Sequence, residues 1–87
     1  MTDIGLVGFG RWGKLIFRDL RSLGVNVHVA VPGSDSQNAA REVGAASVCD
    51  SAAKLPDCAG YVVAPPTVLH AACIDALAPR NRPIFCE

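Results

Sequence analysis

The chain of 87 residues carries eight basic and eight acidic side chains, so its formal net charge is zero. A nucleic-acid-binding domain is expected to show a basic excess, and this sequence has none. No apolar stretch approaches the roughly 20 residues that cross a bilayer, and the N-terminus has neither the basic region nor the apolar core of a signal peptide. Hydrophobic residues make up 51% of the chain, which is enough for the core of one small domain. We therefore expect a single cytoplasmic domain over residues 1–87, with no nucleic-acid partner and no membrane partner.

The cysteines are widely spaced along the chain and form no C-x-x-C pair. They are Cys49, Cys58, Cys73 and Cys86. This spacing predicts neither a metal centre nor a disulfide framework. We expect reduced, partly buried thiols that pack as small hydrophobes.

Glycine occupies three spaced positions directly after the first apolar run: Gly8, Gly10 and Gly13. A helical pattern begins there, so the motif reads G-x-G-x-x-G at a strand-to-helix junction, which is typical of dinucleotide binding. Gly8 would allow a sharp turn, Gly10 a close approach of the backbone to a pyrophosphate, and Gly13 close packing of the new helix. The free N–H groups of the helix would face the phosphates. The alternative is a strand–turn–helix whose glycines serve the turn alone.

The first helix is predicted from Arg11 to Leu23, with its end at Gly24. Its apolar stripe consists of Gly13, Ile16, Phe17, Leu20 and Leu23. Trp12 and Leu15 fall outside that stripe. Trp12 therefore either packs at the helix start or forms a wall of a cofactor or substrate cleft.

Strand and helix patterns alternate along the rest of the chain. In order, we predict a strand over 25–31 containing a structural His28, a helix over 37–43 capped by Asp35 or Ser36, a short strand at 48–49, one helical turn within 51–55, a buried strand over 61–64, a helix from Thr67 to Leu77, and a strand over 83–87. Such alternation produces parallel strands joined by right-handed crossovers. We predict an α/β fold of Rossmann type: a doubly wound parallel sheet of about five strands in the order 3-2-1-4-5, with helices on both faces. A ligand would lie across the carboxyl ends of the first and fourth strands.

The turn after the second strand bears on which cofactor is bound. A dinucleotide fold usually has Asp or Glu at this position, to bind the ribose hydroxyls, but this chain has none. Gly33 and Ser34 offer backbone and hydroxyl donors instead, which favours NADP over NAD. Arg11 and Arg41 are possible partners of the 2′-phosphate, and each is alternatively a solvated surface charge.

Four residue groups resemble the N-terminal half of the glucose–fructose oxidoreductase / inositol dehydrogenase family (Gfo/Idh/MocA). The groups are Gly8-Phe9-Gly10-Arg11-Trp12-Gly13, Pro66-Thr67-Val68-Leu69-His70, Ala76-Leu77 and Phe85-Cys86-Glu87. In that family a threonine–proline step is followed by a histidine four residues after the proline, and a later strand ends in Glu-Lys-Pro. The chain departs from this pattern at Pro65, which replaces the threonine, and it ends at Glu87, before the position of the catalytic lysine.

The resemblance implies the NAD(P)-binding half of an oxidoreductase that acts on sugar- or polyol-like substrates. The residues it places at the cofactor are Gly8, Phe9, Gly10, Arg11 and Trp12 in the glycine turn, Gly33 and Ser34 near the adenosine ribose, Pro66 and His70 near the nicotinamide, and Glu87 beside the lysine position. His70 is alternatively a partly exposed helix residue, and Glu87 a charged terminus. On this reading, activity is expected only when a second domain with the lysine is restored.

Two other functions are compatible with the sequence. The chain could be a stand-alone module that binds or senses a dinucleotide, or a structural remnant that pairs with itself. The last strand would form an apolar edge of the sheet, and such edges pair with other chains. We therefore expect a homodimer or a larger assembly.

Overall fold

The computed structural model describes residues 2–64 and 70–86, except for the side chains of 70–72. Five parallel strands form one sheet in the order β3-β2-β1-β4-β5, which confirms the predicted order. The strands are β1 (Asp3–Val7), β2 (Asn26–Ala30), β3 (Ser47–Cys49), β4 (Gly60–Val63) and β5 (Ile84–Cys86); the helices are α1 (Arg11–Ser22), α2 (Ser34–Glu42) and α3 (His70–Leu77); single 3-10 turns lie at Ala52–Lys54 and Ala78–Arg80. The fold is α/β and Rossmann-like.

Helices cover both faces of the sheet, as predicted. Successive strand residues point to opposite faces, so each strand contributes to two cores. The core under α1 and α2 consists of Leu6, Phe9, Phe17, Val27, Val29, Val31 and Ala40. The core under α3 consists of Val7, Ala30, Ala52, Leu55, Cys58, Tyr61, Val63 and Leu77. In β4, Tyr61 and Val63 are buried on the α3 face of the sheet, whereas Val62 on the α1 face is half-buried.

The end of α1 differs from the prediction at Leu23. The helix ends at Ser22, and Leu23 is its C-cap residue with 76% of its surface exposed. The chain then turns away at Gly24, whose φ of 82° lies in the left-handed region. Leu23 therefore lies outside the apolar stripe, whereas Phe17 and Gly13 are buried in it.

The start of α2 was also predicted wrongly. The helix begins at Ser34, three residues earlier than expected, and its N-cap is Gly33 rather than Asp35 or Ser36. Gly33 has a φ of 90°, a conformation that favours glycine, and this turns the chain into the helix before either polar residue. Asp35 lies in the first turn, where its charge is favourable beside the positive end of the helix dipole.

His28 joins β2 to both of its neighbours in the sheet. Its Nδ1 lies 2.7 Å from the hydroxyl of Ser47 in β3, and its Nε2 lies 3.0 Å from a carboxylate oxygen of Asp3 in β1. The histidine therefore has the structural role that was expected of it.

In the Asp3→Asn variant, the free energy of unfolding is expected to fall less steeply with decreasing pH than it does in the native chain. The hydrogen bonds from His28 and Asn26 hold the pKa of Asp3 below its ordinary value of 3.8. A carboxyl whose pKa is lower in the folded state stabilises the fold above the unfolded pKa, and this contribution is lost as the pH falls through the folded value. Urea unfolding between pH 5 and pH 2 measures the effect. The matched control is Asp75→Asn on α3. If the stability of Asp3→Asn depended on pH as that of the native chain does, the His28–Asp3 contact would not have this role.

All four cysteines lie within the described residues and are free thiols. Burial raises the pKa of Cys58, and of the half-buried Cys49 and Cys73, which keeps these thiols protonated. The expectation of partly buried thiols is wrong for Cys86, which is exposed on β5. No helix in the described ranges is long and apolar enough to cross a membrane.

Candidate functional site

The carboxyl ends of three strands meet at one edge of the sheet. Val7 at the end of β1 is in register with Ala30 at the end of β2 and with Val63 at the end of β4. The chain passes from β1 to β2 through α1 on one face, whereas α3 covers the other face beyond β4. The winding therefore reverses between β1 and β4. In open parallel sheets such a reversal forms the crevice in which ligands bind.

Two glycines of the motif are required by the turn itself. Gly8 has a φ of 97°, and its N–H donates to the carbonyl oxygen of Ala30 at 2.8 Å. A Cβ atom on Gly13 would lie 2.6 Å from the carbonyl oxygen of Gly8. Residue 13 must therefore lack a side chain if α1 is to pack against the turn. The close contact of Gly13 is with the turn rather than with the sheet.

Gly10 is subject to neither constraint. Its φ of −80° is ordinary, and a Cβ atom built on it has nothing within 4 Å. It is the N-cap of α1, a position that favours Ser, Thr, Asp, Asn or Gly, but glycine offers no side chain to cap the helix. No side chain caps this helix, and its first turn contains no acidic residue. Because the first N–H groups of a helix have no partner within it, this N-terminus is open to an anionic ligand.

The side chains around Gly10 divide between the core and the surface. Phe9 is buried, and its ring meets Phe17 edge-on with the centroids 5.6 Å apart. Only the backbone of Phe9 is therefore available to a ligand at the glycine turn. Arg11 is exposed, and Trp12 is 65% exposed. Packing at the helix start is thus the wrong alternative for Trp12, whose ring lies on the surface at the N-terminus of α1.

The turn after β2 reaches the same edge of the sheet. Gly33 and Ser34 are exposed there, at the N-terminus of α2. Arg11 lies at this edge as well, as the first residue of α1. Arg41 comes seven residues after Ser34, or about 10 Å along the helix axis, and its Nη1 donates to Asn38 at 3.1 Å. Arg11 therefore lies at the same edge of the sheet as this turn, whereas Arg41 lies about two helical turns further along α2.

A cavity of about 280 Å³ opens beside the glycine turn. Its lining includes Gly8 and Pro32 after β1 and β2, Asp50 and Ser51 after β3, and Cys73 of α3. Most of the other lining residues are small and apolar, which suits a flat uncharged ring better than a phosphate.

Asp50 is the one carboxylate in this lining. Lys54 lies 2.9 Å away and holds the pKa of Asp50 below its ordinary value. Sequence reasoning missed both Asp50 and Ser51, because the loop after β3 matches no motif. The available signal was their place in the chain: in a parallel sheet, residues after successive strands gather at one edge.

Three of the predicted cofactor residues are not placed. Pro66 and Glu87 lie outside the described residues. The side chain of His70 lies outside them as well, although the backbone of this residue begins α3. Among the described residues, no three His, Cys, Asp or Glu side chains gather closely enough to hold a metal ion. No protein-family model matches the chain, and no curated protein matches it.

Proposed function

We propose that this chain is the NAD(P)-binding domain of an oxidoreductase that moves hydride to or from a sugar- or polyol-like substrate, resembling the Gfo/Idh/MocA family. The observation that carries the proposal is Gly10. Turn geometry accounts for Gly8 and close packing accounts for Gly13, whereas neither a positive φ nor a close contact requires glycine at position 10, an N-cap that several other small polar residues would fill equally well. A ligand that approaches the backbone at this position does give a reason.

The chain's own groups would hold the pyrophosphate at the N-terminus of α1. The backbone at Gly10 leaves room for the phosphate oxygens, and the N–H groups of Arg11 and Trp12 follow it in the first turn of the helix. The positive end of the helix dipole adds to this attraction. The exposed ring of Trp12 offers an apolar surface beside the bound cofactor.

The turn after β2 supports NADP as the cofactor. Val31, Pro32, Gly33 and Ser34 provide no carboxylate that would repel a 2′-phosphate. Gly33 and Ser34 lead into α2, whose N-terminus favours an anion less than that of α1 does, because Asp35 already lies in its first turn. Arg11, the first residue of α1, supplies a cation at this edge of the sheet.

The cofactor, once bound, supplies the hydride chemistry, and the protein supplies position. In the family that the chain resembles, the catalytic lysine follows the glutamate matched by Glu87. The proposal therefore assigns cofactor binding, and not turnover, to residues 1–87.

Titration of Trp12 fluorescence tests the proposal. Trp12 is the only tryptophan in the chain, so quenching of its emission reports on the glycine turn. We expect saturable quenching by NADPH at much lower concentration than by NADH. A preference for NADH would overturn the choice of NADP while keeping the binding function. A folded protein that shows no saturable change with either dinucleotide, and no heat of binding in calorimetry, would overturn the proposed function.

Self-association is the second candidate, and β5 favours it. This strand lies at the end of the sheet order and pairs only with β4 among the described strands. Phe85 at its centre is 67% exposed, and an apolar unpaired edge invites another strand. A dimer pairing through β5 would cover this ring.

Replacing Phe85 with glutamate is expected to shift the chain toward monomer. A charge at the centre of the edge strand would disfavour pairing with a second copy. Sedimentation equilibrium at high micromolar concentration measures the change, and Leu23→Glu serves as control because Leu23 is equally exposed but lies away from β5. A native chain that sediments as a monomer under these conditions would count against the edge-to-edge dimer.

A further inference from the structure

A groove of about 580 Å³ lies between α1 and α2, and none of the three glycines of the turn lines it. This volume falls within the range of about 300–1,000 Å³ found for small-ligand sites. The lining is apolar at Phe9 and Phe17 and, on the α2 side, at Ala39 and Val43. Phe9 and Phe17 are buried, whereas Val43 is exposed to solvent.

One wall of the groove carries a row of cations. Lys14, Arg18 and Arg21 are spaced i, i+4 and i+7, which places them on one side of α1. The row is about 10 Å long. Among the described residues that line the groove, Glu42 on α2 is the one acidic residue. The lining as a whole is therefore positive.

The cations keep most of their charge available to a ligand. Arg18 lies 3.6 Å from Asp19, but both side chains are almost three-quarters exposed, and such pairs are weak. Arg21 donates to the carbonyl oxygen of Gly44, a neutral acceptor. The ammonium of Lys14 lies 5.9 Å from the centre of the Phe9 ring, beside the apolar part of the groove.

We propose that this groove binds a small amphipathic anion of the acyl carboxylate class. The apolar tail would lie along Ala39 and Val43 over the edge of the Phe9–Phe17 pair, and the carboxylate would meet the guanidinium of Arg18. Burying the tail covers the exposed surface of Val43, and the headgroup lies where the row of cations is densest. The site shares neither Gly10 nor Gly33 with the proposed dinucleotide site, so binding there does not depend on the proposed function.

The charge distribution favours a free carboxylate over a membrane surface. Polybasic segments that attach to anionic lipids carry clusters of four to eight cations, and this wall has three. Glu42 faces them from the opposite helix, and the formal net charge of the whole chain is zero. An extended anionic surface would meet Glu42 together with the three cations, whereas a single headgroup needs only one of the cations.

Calorimetric titration with hexanoate, octanoate and decanoate below their micelle concentrations tests the proposal. Each added methylene is expected to tighten binding by about threefold to fourfold, since its burial adds a fixed increment of transfer free energy. Octanol and octylammonium, which have the same tail without the negative head, are expected to bind much more weakly than octanoate.

Two surface variants locate the ligand within the groove. Arg18→Glu and Val43→Glu are each expected to weaken decanoate binding about tenfold, because Arg18→Glu places a carboxylate next to the ligand's own and Val43→Glu places a charge against its apolar tail. Arg82→Glu and Leu23→Glu are matched controls, since both residues are exposed and line no part of the groove. Quenching of Trp12 by NADPH should be unchanged in Arg18→Glu, so failure here is distinguishable from failure of the dinucleotide proposal.

Three results would overturn the assignment. One is an affinity that does not rise with tail length. Another is equal decanoate binding by Arg18→Glu and the Arg82→Glu control. The third is that the native chain binds anionic lipid vesicles but not free decanoate, and that Arg18→Glu and Val43→Glu lose the vesicle binding. That result would make the groove a membrane contact instead.

Discussion

Replacing Tyr61 with alanine is expected to remove a large part of the stability of this domain. The ring is completely buried between the sheet and the segment that follows Ala52–Lys54, and truncation of a buried aromatic side chain costs about 3–5 kcal/mol. At 0.05–0.15 kcal/mol per residue, a chain of this length has a total of about 4–13 kcal/mol. Urea unfolding followed by circular dichroism measures the loss, and a variant as stable as the native chain would contradict the packing of this ring.

The hydroxyl of Tyr61 makes a separable contribution. It accepts the N–H of Cys58 at 3.1 Å, donates to the carbonyl oxygen of Pro56 at 3.1 Å, and accepts from Nη1 of Arg80 at 2.9 Å. Arg80 also donates to Pro56 and to Ala53, both at 2.9 Å. These bonds hold the connection between β3 and β4 against the turn that precedes β5.

Tyr61→Phe keeps the ring and removes only these bonds, so we expect a loss of about 1–3 kcal/mol. A double-mutant cycle with Arg80→Met isolates the pair, for which a coupling of about 0.5–3 kcal/mol is expected between contacting groups. Additive effects of the two substitutions would show that Arg80 stabilises this region through its backbone contacts alone.

The order of the strands was predictable because each segment carries its own period. Alternating valines predict β2, an i, i+3, i+4 stripe predicts α1, and strict alternation of strand and helix predicts parallel crossovers.

The errors in the predicted bounds fall where one backbone conformation overrides composition. Gly33, at a φ of 90°, starts α2 before the polar residues that looked like its cap. Leu23 matched the helical spacing but stands one residue beyond the helix that would have buried it.

The glycine turn was predictable for a different reason. Its chemistry depends on residues adjacent in sequence, and Gly8 and Gly13 occupy the positions that the turn requires. Side chains that are far apart in the sequence and meet only in the folded chain form no motif that the sequence alone could show. Asp50 reaches the cavity because β3 ends beside β2, and Arg80 reaches Tyr61 across 19 positions of the chain. The groove between α1 and α2 likewise exists only once two separate helices pack side by side.

Replacing Gly13 with alanine is expected to weaken both the fold and its binding of a dinucleotide. The added methyl would lie 2.6 Å from the carbonyl oxygen of Gly8, a backbone atom that cannot rotate away. Overpacking of this kind costs about 1–3 kcal/mol. To relieve it, α1 must move off the turn, and its first N–H groups then leave the positions in which they would meet the pyrophosphate. Urea unfolding and Trp12 quenching by NADPH should therefore both change.

Gly10→Ala is the matched control for this prediction and its sharpest test. A methyl at position 10 meets no protein atom within 4 Å, and the backbone there has an ordinary conformation. Stability should fall by no more than about 1 kcal/mol, because position 10 is the N-cap of α1 and alanine caps a helix less well than glycine. Affinity for NADPH should nonetheless fall about tenfold, because the methyl would fill the space where the phosphate approaches. If Gly10→Ala binds NADPH as the native chain does, the open surface at Gly10 is not a phosphate site, and glycine at this position is left without the role on which the proposed function depends.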